Sequence, residues 1–164
     1  MTRWWTVAVA VLALGVPTTA TSADVPTRTA AWLRSLGIPA PNPRIVVIGE
    51  GWTAEAMALP PDTLGVKRDV VGPLRKGGAG EILLHELIHL SGTADEGITQ
   101  AVTLDLLPAW QARFPLRGRV AFVAGVMGVY VGEVRIVRQA SARACGCPWT
   151  SREARLWRRA LVTR

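Results

Sequence analysis

Residues 81–100, EILLHELIHLSGTADEGITQ, contain two helical patterns separated by a short polar turn. The apolar spacing predicts a helix from Glu81 to about Leu90, and Ser91-Gly92 supplies the residues that end it. Thr93-Ala94-Asp95-Glu96 has the form of a capping box, which predicts a second helix running through Leu107 and limited by Pro108. A turn this short folds the second helix back against the first.

The two histidines of the chain, His85 and His89, both lie in the first predicted helix. Side chains four residues apart share one face of a helix, and this spacing allows two imidazoles to bind a single metal ion. Glu86 stands beside them as a candidate general base. The pattern therefore predicts a zinc site with hydrolytic chemistry.

A catalytic zinc ion normally has three protein ligands and one open position. Because the chain has no third histidine, the remaining ligand must be a carboxylate or, with weaker support, one of Cys145 and Cys147. Asp95 and Glu96 are the nearest carboxylates, and we favour Glu96 while leaving Asp95 open. The one that does not bind the metal is expected to contact a histidine N–H, and Asp105 is a further candidate for that supporting role.

The run from His85 to Gln100 resembles the zincin metallopeptidases. Asp95-Glu96-Gly97-Ile98 is similar to the glutamate helix of gluzincins, a resemblance that implies Glu96 as third ligand. With Asp95 instead, the string His-Glu-x-x-His-x-x-Gly-x-x-Asp resembles snapalysins, which are small secreted bacterial zinc proteases. Either resemblance implies an endopeptidase in which zinc activates water while Glu86 takes its proton and passes it to the leaving amine.

The rest of the chain predicts an α+β fold with a short sheet, an active-site helix and a mainly helical C-terminal part. Thr27 to Leu36 is predicted as a helix. Arg44 to Gly49 is β-branched and apolar on both faces, which predicts a strand buried in the sheet. Met57 to Asp62 is predicted as a loop, and Gly65 to Val71 as a solvent-exposed edge strand that can accept a peptide as an added strand.

Two further helices are predicted in the C-terminal part. Apolar residues recur at helical spacing from Arg119 to about Ala144. Charged residues interrupt this run after about 14 positions, which is shorter than a bilayer requires. Residues Thr150 to Arg164 are predicted to form an amphipathic helix with a basic polar side, which we expect to dock on the domain.

Residues 1–23 have the features of a secretory signal: Arg3, an apolar stretch from Trp4 to Val16, and small residues before Asp24. The mature chain is then expected to be a single zinc metallopeptidase-like domain, residues 24–164, that is secreted and has no transmembrane helix. About 140 residues suffice for one domain.

The formal net charge is +7, and most of the cationic side chains are arginines spread along the chain. No basic tract with interleaved aromatic residues is present, which disfavours nucleic acid as a partner. The charge is compatible with attraction to anionic cell-envelope surfaces, and equally with codon bias.

Two functional classes follow from these patterns. The first is a secreted zinc-dependent endopeptidase acting on a peptide or protein substrate. The second is a protein whose zinc site is structural or catalytically inactive and which binds the cell envelope or a partner. Cys145 and Cys147 are separated by one glycine; a disulfide between them, pairing between chains and free thiols all stay open.

Overall fold

The structure is a computed structural model that describes residues 24–49, 51, 53–116, 132, 134, 135 and 139. Its elements are α1 (Val25–Ser35), β1 (Arg44–Ile48), β2 (Ala56–Leu59), β3 (Thr63–Lys67), α2 (Arg68–Lys76), α3 (Gly80–Leu90) and α4 (Glu96–Arg113). Helices and a three-stranded sheet in one small unit confirm the α+β class at the coarse level.

The sheet has the strand order β1-β3-β2, with β1 parallel and β2 antiparallel to the central strand β3. The prediction of a buried β1 was wrong, because β1 is an edge strand and the side chain of Val47 is 56% exposed. The prediction of an exposed edge beginning at Gly65 was also wrong, since Leu64, Gly65 and Val66 are buried in the middle of the sheet.

The segment predicted as a loop, Met57 to Asp62, contains most of strand β2. Its four residues, Ala-Met-Ala-Leu, include no β-branched side chain and so carry a weak strand signal. They form a strand because they pair with β3 in a hairpin, from Ala56 opposite Val66 to Leu59 opposite Thr63. Tertiary pairing therefore overrides local propensity here.

The strand predicted from Gly65 to Val71 ends at Lys67, where helix α2 begins. Val70 and Leu74, four residues apart, are both buried and give α2 an apolar face. The charged residues that suggested an exposed strand belong largely to this helix. Gly77 ends α2 with a left-handed φ of 88°, which glycine adopts without a steric penalty.

Helix α3, predicted from Glu81 to about Leu90, is confirmed and is buried on nearly all sides. It packs against β2 on one side and against α4 on another. Leu83, Leu84, Leu87 and Ile88 are each fully buried in the core. A helix surrounded in this way has little freedom to shift, so it provides a fixed support for the polar side chains that it carries.

Gly80 allows the start of α3 to approach α4 closely. A Cβ atom at this position would lie 2.2 Å from Cζ3 of Trp110, which is too close for any side chain. Trp110 is buried, and its indole N–H donates a hydrogen bond to Thr29 of α1. The contact therefore sets the relative positions of three helices.

Helix α4 continues through Pro108 to Arg113, so the prediction that Pro108 limits this helix was wrong. Pro108 is exposed, where water can solvate the carbonyl group that loses its partner. Beyond it, the buried residues Trp110 and Phe114 pack their rings against each other, with centroids 5.3 Å apart. These tertiary contacts hold the helix together past the proline.

The remaining predictions concern residues that are mostly not described. Residues 1–23 and 150–164 lie outside the described residues, as do Cys145 and Cys147. Within the predicted helix 119–144, the four described residues are all helical. In the part of the chain that the structure describes, no helix combines the length and the apolarity needed to cross a bilayer.

Candidate metal centre

Three candidate ligands converge where α3 meets α4. His85 and His89 lie one turn apart on α3, and Glu96 is the first residue of α4. The Nε2 atoms of the two imidazoles are 3.0 Å apart, and Oε2 of Glu96 lies 3.0 Å from that of His85 and 3.2 Å from that of His89. This group could hold a metal ion.

The connection between the helices separates the roles of two adjacent carboxylates. Asp95 caps α4 by accepting a hydrogen bond from the N–H of Ile98 at 2.7 Å. Thr93 was predicted to begin the capping box, but the N-cap is Asp95. The side chain of Glu96 is consequently not needed as a cap and lies against the histidines instead.

A backbone carbonyl fixes the orientation and tautomer of His89. Its Nδ1 lies 2.8 Å from the carbonyl oxygen of Thr93, which can only accept a hydrogen bond. Nδ1 must therefore carry the proton, and a neutral ring then has its lone pair on Nε2. That lone pair lies beside His85 and Glu96, as metal binding requires.

His85 is oriented by a side chain of α4. Its Nδ1 lies 2.7 Å from Oε1 of Gln100, another acceptor, so its Nε2 also carries a lone pair when the ring is neutral. Burial lowers the pKa of His85, and the nearby His89 lowers it further, against smaller opposing effects of Gln100 and Glu96. Both influences favour the neutral imidazole, which is the form that binds metal.

The three converging atoms suit a cation better than they suit one another. Two imidazole lone pairs and a carboxylate oxygen are all acceptors, and a small group of acceptors is stabilised by a positive charge between them. Two nitrogens and one oxygen are a donor set typical of zinc. Zinc bonds of about 2.0–2.1 Å in a tetrahedral site imply ligand atoms about 3.3 Å apart. The observed distances of 3.0 to 3.2 Å fit with shifts of a few tenths of an ångström.

Glu86 lies next to the ligands along α3 and is half-buried on the wall of a cleft. Burial raises the pKa of its carboxyl group to about 7, and Glu96 also raises it. The charge of His89 and a hydrogen bond from the backbone N–H of Ala58 act in the opposite direction. Strand β2 therefore influences the pKa of this carboxyl group.

The cleft in front of the site has a volume of about 730 Å³. One wall is strand β2 with the segment before it, and the opposite wall is formed by α3 and the turn leading to α4. Three acidic side chains line the cleft: Glu55, Glu86 and Glu96. No lysine or arginine is among its described lining residues. An extended chain has room to lie along β2 in front of the histidines.

The hydrogen-bond pattern of β2 leaves backbone groups facing this cleft. The N–H of Lys67 donates to the carbonyl group of Glu55, which fixes the alternation along the β2–β3 pair. Residues 57 and 59 then bond to β3, whereas Ala56 and Ala58 direct their backbone groups away from it. The effect of the Ala58 backbone on the pKa of Glu86 agrees with this alternation.

The structure brings together His85, Glu86, His89 and Glu96 from the predicted set, with Asp95 at the surface as a cap. Asp105 is half-buried farther along α4, and its supporting role stays a prediction. The sequence interpretation missed Gln100 and the backbone of Thr93, which contact the histidines. The only available signal for Gln100 was its position one turn after Glu96 on the same helix.

Comparisons with models of protein families, with curated proteins and with solved structures find no match to this chain. The functional conclusion must therefore be drawn from the geometry of the site itself.

Proposed function

We propose that this protein is a zinc-dependent endopeptidase of the zincin type, with His85, His89 and Glu96 as metal ligands and Glu86 as general base. The observation that carries the proposal is the convergence of the three ligand atoms within hydrogen-bond distance, with a carboxylate from the same helix beside them. Glu96 as third ligand favours the gluzincin-like arrangement over the snapalysin-like one. Secretion through residues 1–23 is part of the proposal.

Each residue of the site has a separate role in the proposed hydrolysis. A zinc ion supplies Lewis acidity, which acidifies water and polarises a carbonyl group. Glu86 accepts a proton from the attacking water and delivers it to the leaving amine. Thr93 and Gln100 hold the imidazoles so that their Nε2 lone pairs stay directed at one point.

Strand β2 is suited to hold a peptide substrate. The outward N–H of Ala56 and the outward carbonyl groups of Ala56 and Ala58 can pair with an extended chain as a further strand would. The side chains of both residues are methyl groups, so they leave space for the substrate. A peptide held in this way lies along the cleft lined by His85, Glu86 and His89.

The test compares the purified chain from residue 24 onward with its Glu86→Gln variant for zinc content and peptide hydrolysis. We expect one zinc ion per chain in both proteins and a loss of at least about 100-fold in kcat for the variant, since general base catalysis contributes about 10²- to 10⁴-fold. Glu55→Gln is the matched control, because Glu55 lines the same cleft but forms an ion pair with Lys67.

The control should retain both zinc and activity. Stoichiometric zinc with equal, negligible hydrolysis by the unmodified chain and Glu86→Gln would contradict the enzyme and favour a structural or inactive zinc site. Absence of zinc binding by the unmodified chain would contradict the metal centre.

A further inference from the structure

Glu81 lies outside the group of metal ligands but is connected to it through Gln100. Its Oε1 accepts a hydrogen bond of 2.9 Å from Nε2 of Gln100, whose Oε1 in turn contacts Nδ1 of His85 at 2.7 Å. All three side chains are buried, with Glu81 9% and Gln100 0% exposed. The contacts form a single line from the start of α3, through α4, and back to α3.

Glu81 determines which groups donate and which accept in this series of hydrogen bonds. A side-chain amide has an oxygen at one position and an NH₂ group at the other, and nothing in its shape decides which of them faces His85. An ionised carboxylate can only accept, so Glu81 requires the NH₂ group of Gln100 on its own side. The oxygen of Gln100 then faces the imidazole, and Nδ1 of His85 must donate.

The local structure suits a hydrogen-bond acceptor at Glu81. This residue lies in the first turn of α3, where no side chain caps the helix and the backbone N–H groups carry a partial positive charge. Burial of a carboxylate is otherwise costly unless it is paired. The position therefore supports an acceptor at the beginning of the line.

We infer that Glu81 is a positioning residue that sets the tautomer of His85 through Gln100 and thereby keeps its Nε2 lone pair available to a metal ion. The alternative tautomer of His85, with the proton on Nε2, is favoured by a nearby acceptor. An Nε2–H of His85 would donate to Oε2 of Glu96, which lies only 3.0 Å away. The Glu81–Gln100 pair opposes that arrangement. Its effect on zinc affinity rests on the proposed metal site, whereas the tautomer itself does not.

Glu81→Gln tests whether Glu81 sets the order of donors and acceptors. It does so without removing the hydrogen bond between the two helices. The new amide is nearly isosteric and can either accept from Gln100 or donate to it, so Gln100 becomes free to reverse. Nitrogen NMR of the metal-free protein, at a pH where histidine is neutral, distinguishes the two tautomers of His85. We expect the unmodified chain to show only Nδ1–H and the variant to show a substantial Nε2–H population, with zinc affinity lowered about 10-fold.

A second variant reverses the chemistry of the pair. In Glu81→Gln combined with Gln100→Glu, the amide donates to the carboxylate, and that carboxylate accepts directly from His85. We expect this double variant to regain the single Nδ1–H tautomer and a zinc affinity at least equal to that of the unmodified chain. Glu55→Gln is the control for loss of a carboxylate and should change neither quantity.

The inference is overturned if folded Glu81→Gln keeps the Nδ1–H tautomer alone, or if the folded double variant fails to regain it. Circular dichroism and the melting temperature establish that the variants are folded. If the unmodified chain binds no zinc, the proposed function fails, but the NMR comparison of metal-free proteins still decides the role of Glu81.

Discussion

At the scale of single residues, neighbouring carboxylates have separate roles because the backbone turns between them. Asp95 has an extended backbone and caps the helix, whereas Glu96 is already helical and its side chain lies against the two histidines. A capping interaction and a ligand position require different side-chain directions. The structure shows Asp95 as the cap and places Glu96 in the group that could hold a metal ion, a choice that the spacing of the sequence left open.

Exchanging each carboxylate for its amide should separate these roles. Glu96→Gln removes the anionic oxygen between the imidazoles, and we expect zinc affinity to fall by more than about 100-fold, since even supporting residues cost about 10- to 100-fold. Asp95→Asn should leave affinity almost unchanged, because asparagine caps a helix about as well as aspartate. Zinc titration against a competing chelator measures both. If Asp95→Asn lost more zinc affinity than Glu96→Gln, Asp95 would be the third ligand.

At the scale of elements, the edge strand β2 contributes to the site through its backbone. The backbone of Ala58 lowers the pKa of Glu86, and its N–H is not needed for pairing with β3. Proline at such a position removes the donor while the sheet stays paired, since edge strands tolerate proline where the N–H faces outward.

Ala58→Pro should therefore shift the pH dependence of hydrolysis. The backbone N–H of Ala58 favours the ionised form of Glu86. Its removal therefore raises the pKa of Glu86 and moves the acidic limb of the kcat profile to higher pH. We expect a shift of less than about one pH unit, since a full charged hydrogen bond of about 1.5 kcal/mol corresponds to about one unit. Ala56→Pro is the control, because the N–H of Ala56 also points away from β3 but does not contribute to the pKa of Glu86. An equal shift in both variants would rule out a specific bond to Glu86.

The contact between Gly80 and Trp110 predicts a stability difference between two glycines in helices. Gly80→Ala forces a Cβ atom into the indole ring, and we expect it to destabilise the fold by about 1–3 kcal/mol. Gly72→Ala in α2 has nothing within 4 Å of the new atom outside its own helix backbone and chain neighbours, so we expect it to cost less than Gly80→Ala, with only the following Pro73 disfavouring a Cβ there. Urea denaturation of the metal-free proteins measures both. Equal stabilities would show that α3 can move away from Trp110 without cost.

At the scale of the whole molecule, metal binding at the candidate centre would be linked to the stability of the fold. A ligand that binds only the folded state stabilises it by about 2.7 kcal/mol at a concentration 100 times its Kd. For a domain of this size we expect zinc at that excess to raise the melting temperature by about 10 °C. Magnesium is the control ion, because it prefers oxygen ligands to imidazole. An equal shift with magnesium, or no shift with zinc, would contradict the centre.

The sequence predicted the elements that carry the site better than it predicted the sheet. The motif helix and the start of α4 have strong local signals: regular apolar spacing, a glycine at the turn and a capping pattern, although this pattern indicated Thr93 as the cap instead of Asp95. Strand β2 has none, because Ala56 to Leu59 is extended only through its partner strand. The contacts of Gln100 were equally hidden, since they depend on how two helices face each other.

The three ligands come from one short stretch of chain, with His85 and Glu96 only eleven positions apart. Closing so short a loop costs little chain entropy, so these residues can meet early in folding. One wall of the cleft comes from β2, which lies much farther from α3 along the chain and depends on the hairpin with β3. Under the proposed function, zinc binding needs only the two helices, whereas peptide cleavage also needs β2. We therefore expect a partly folded chain that has formed only the two helices to bind zinc without cleaving a peptide.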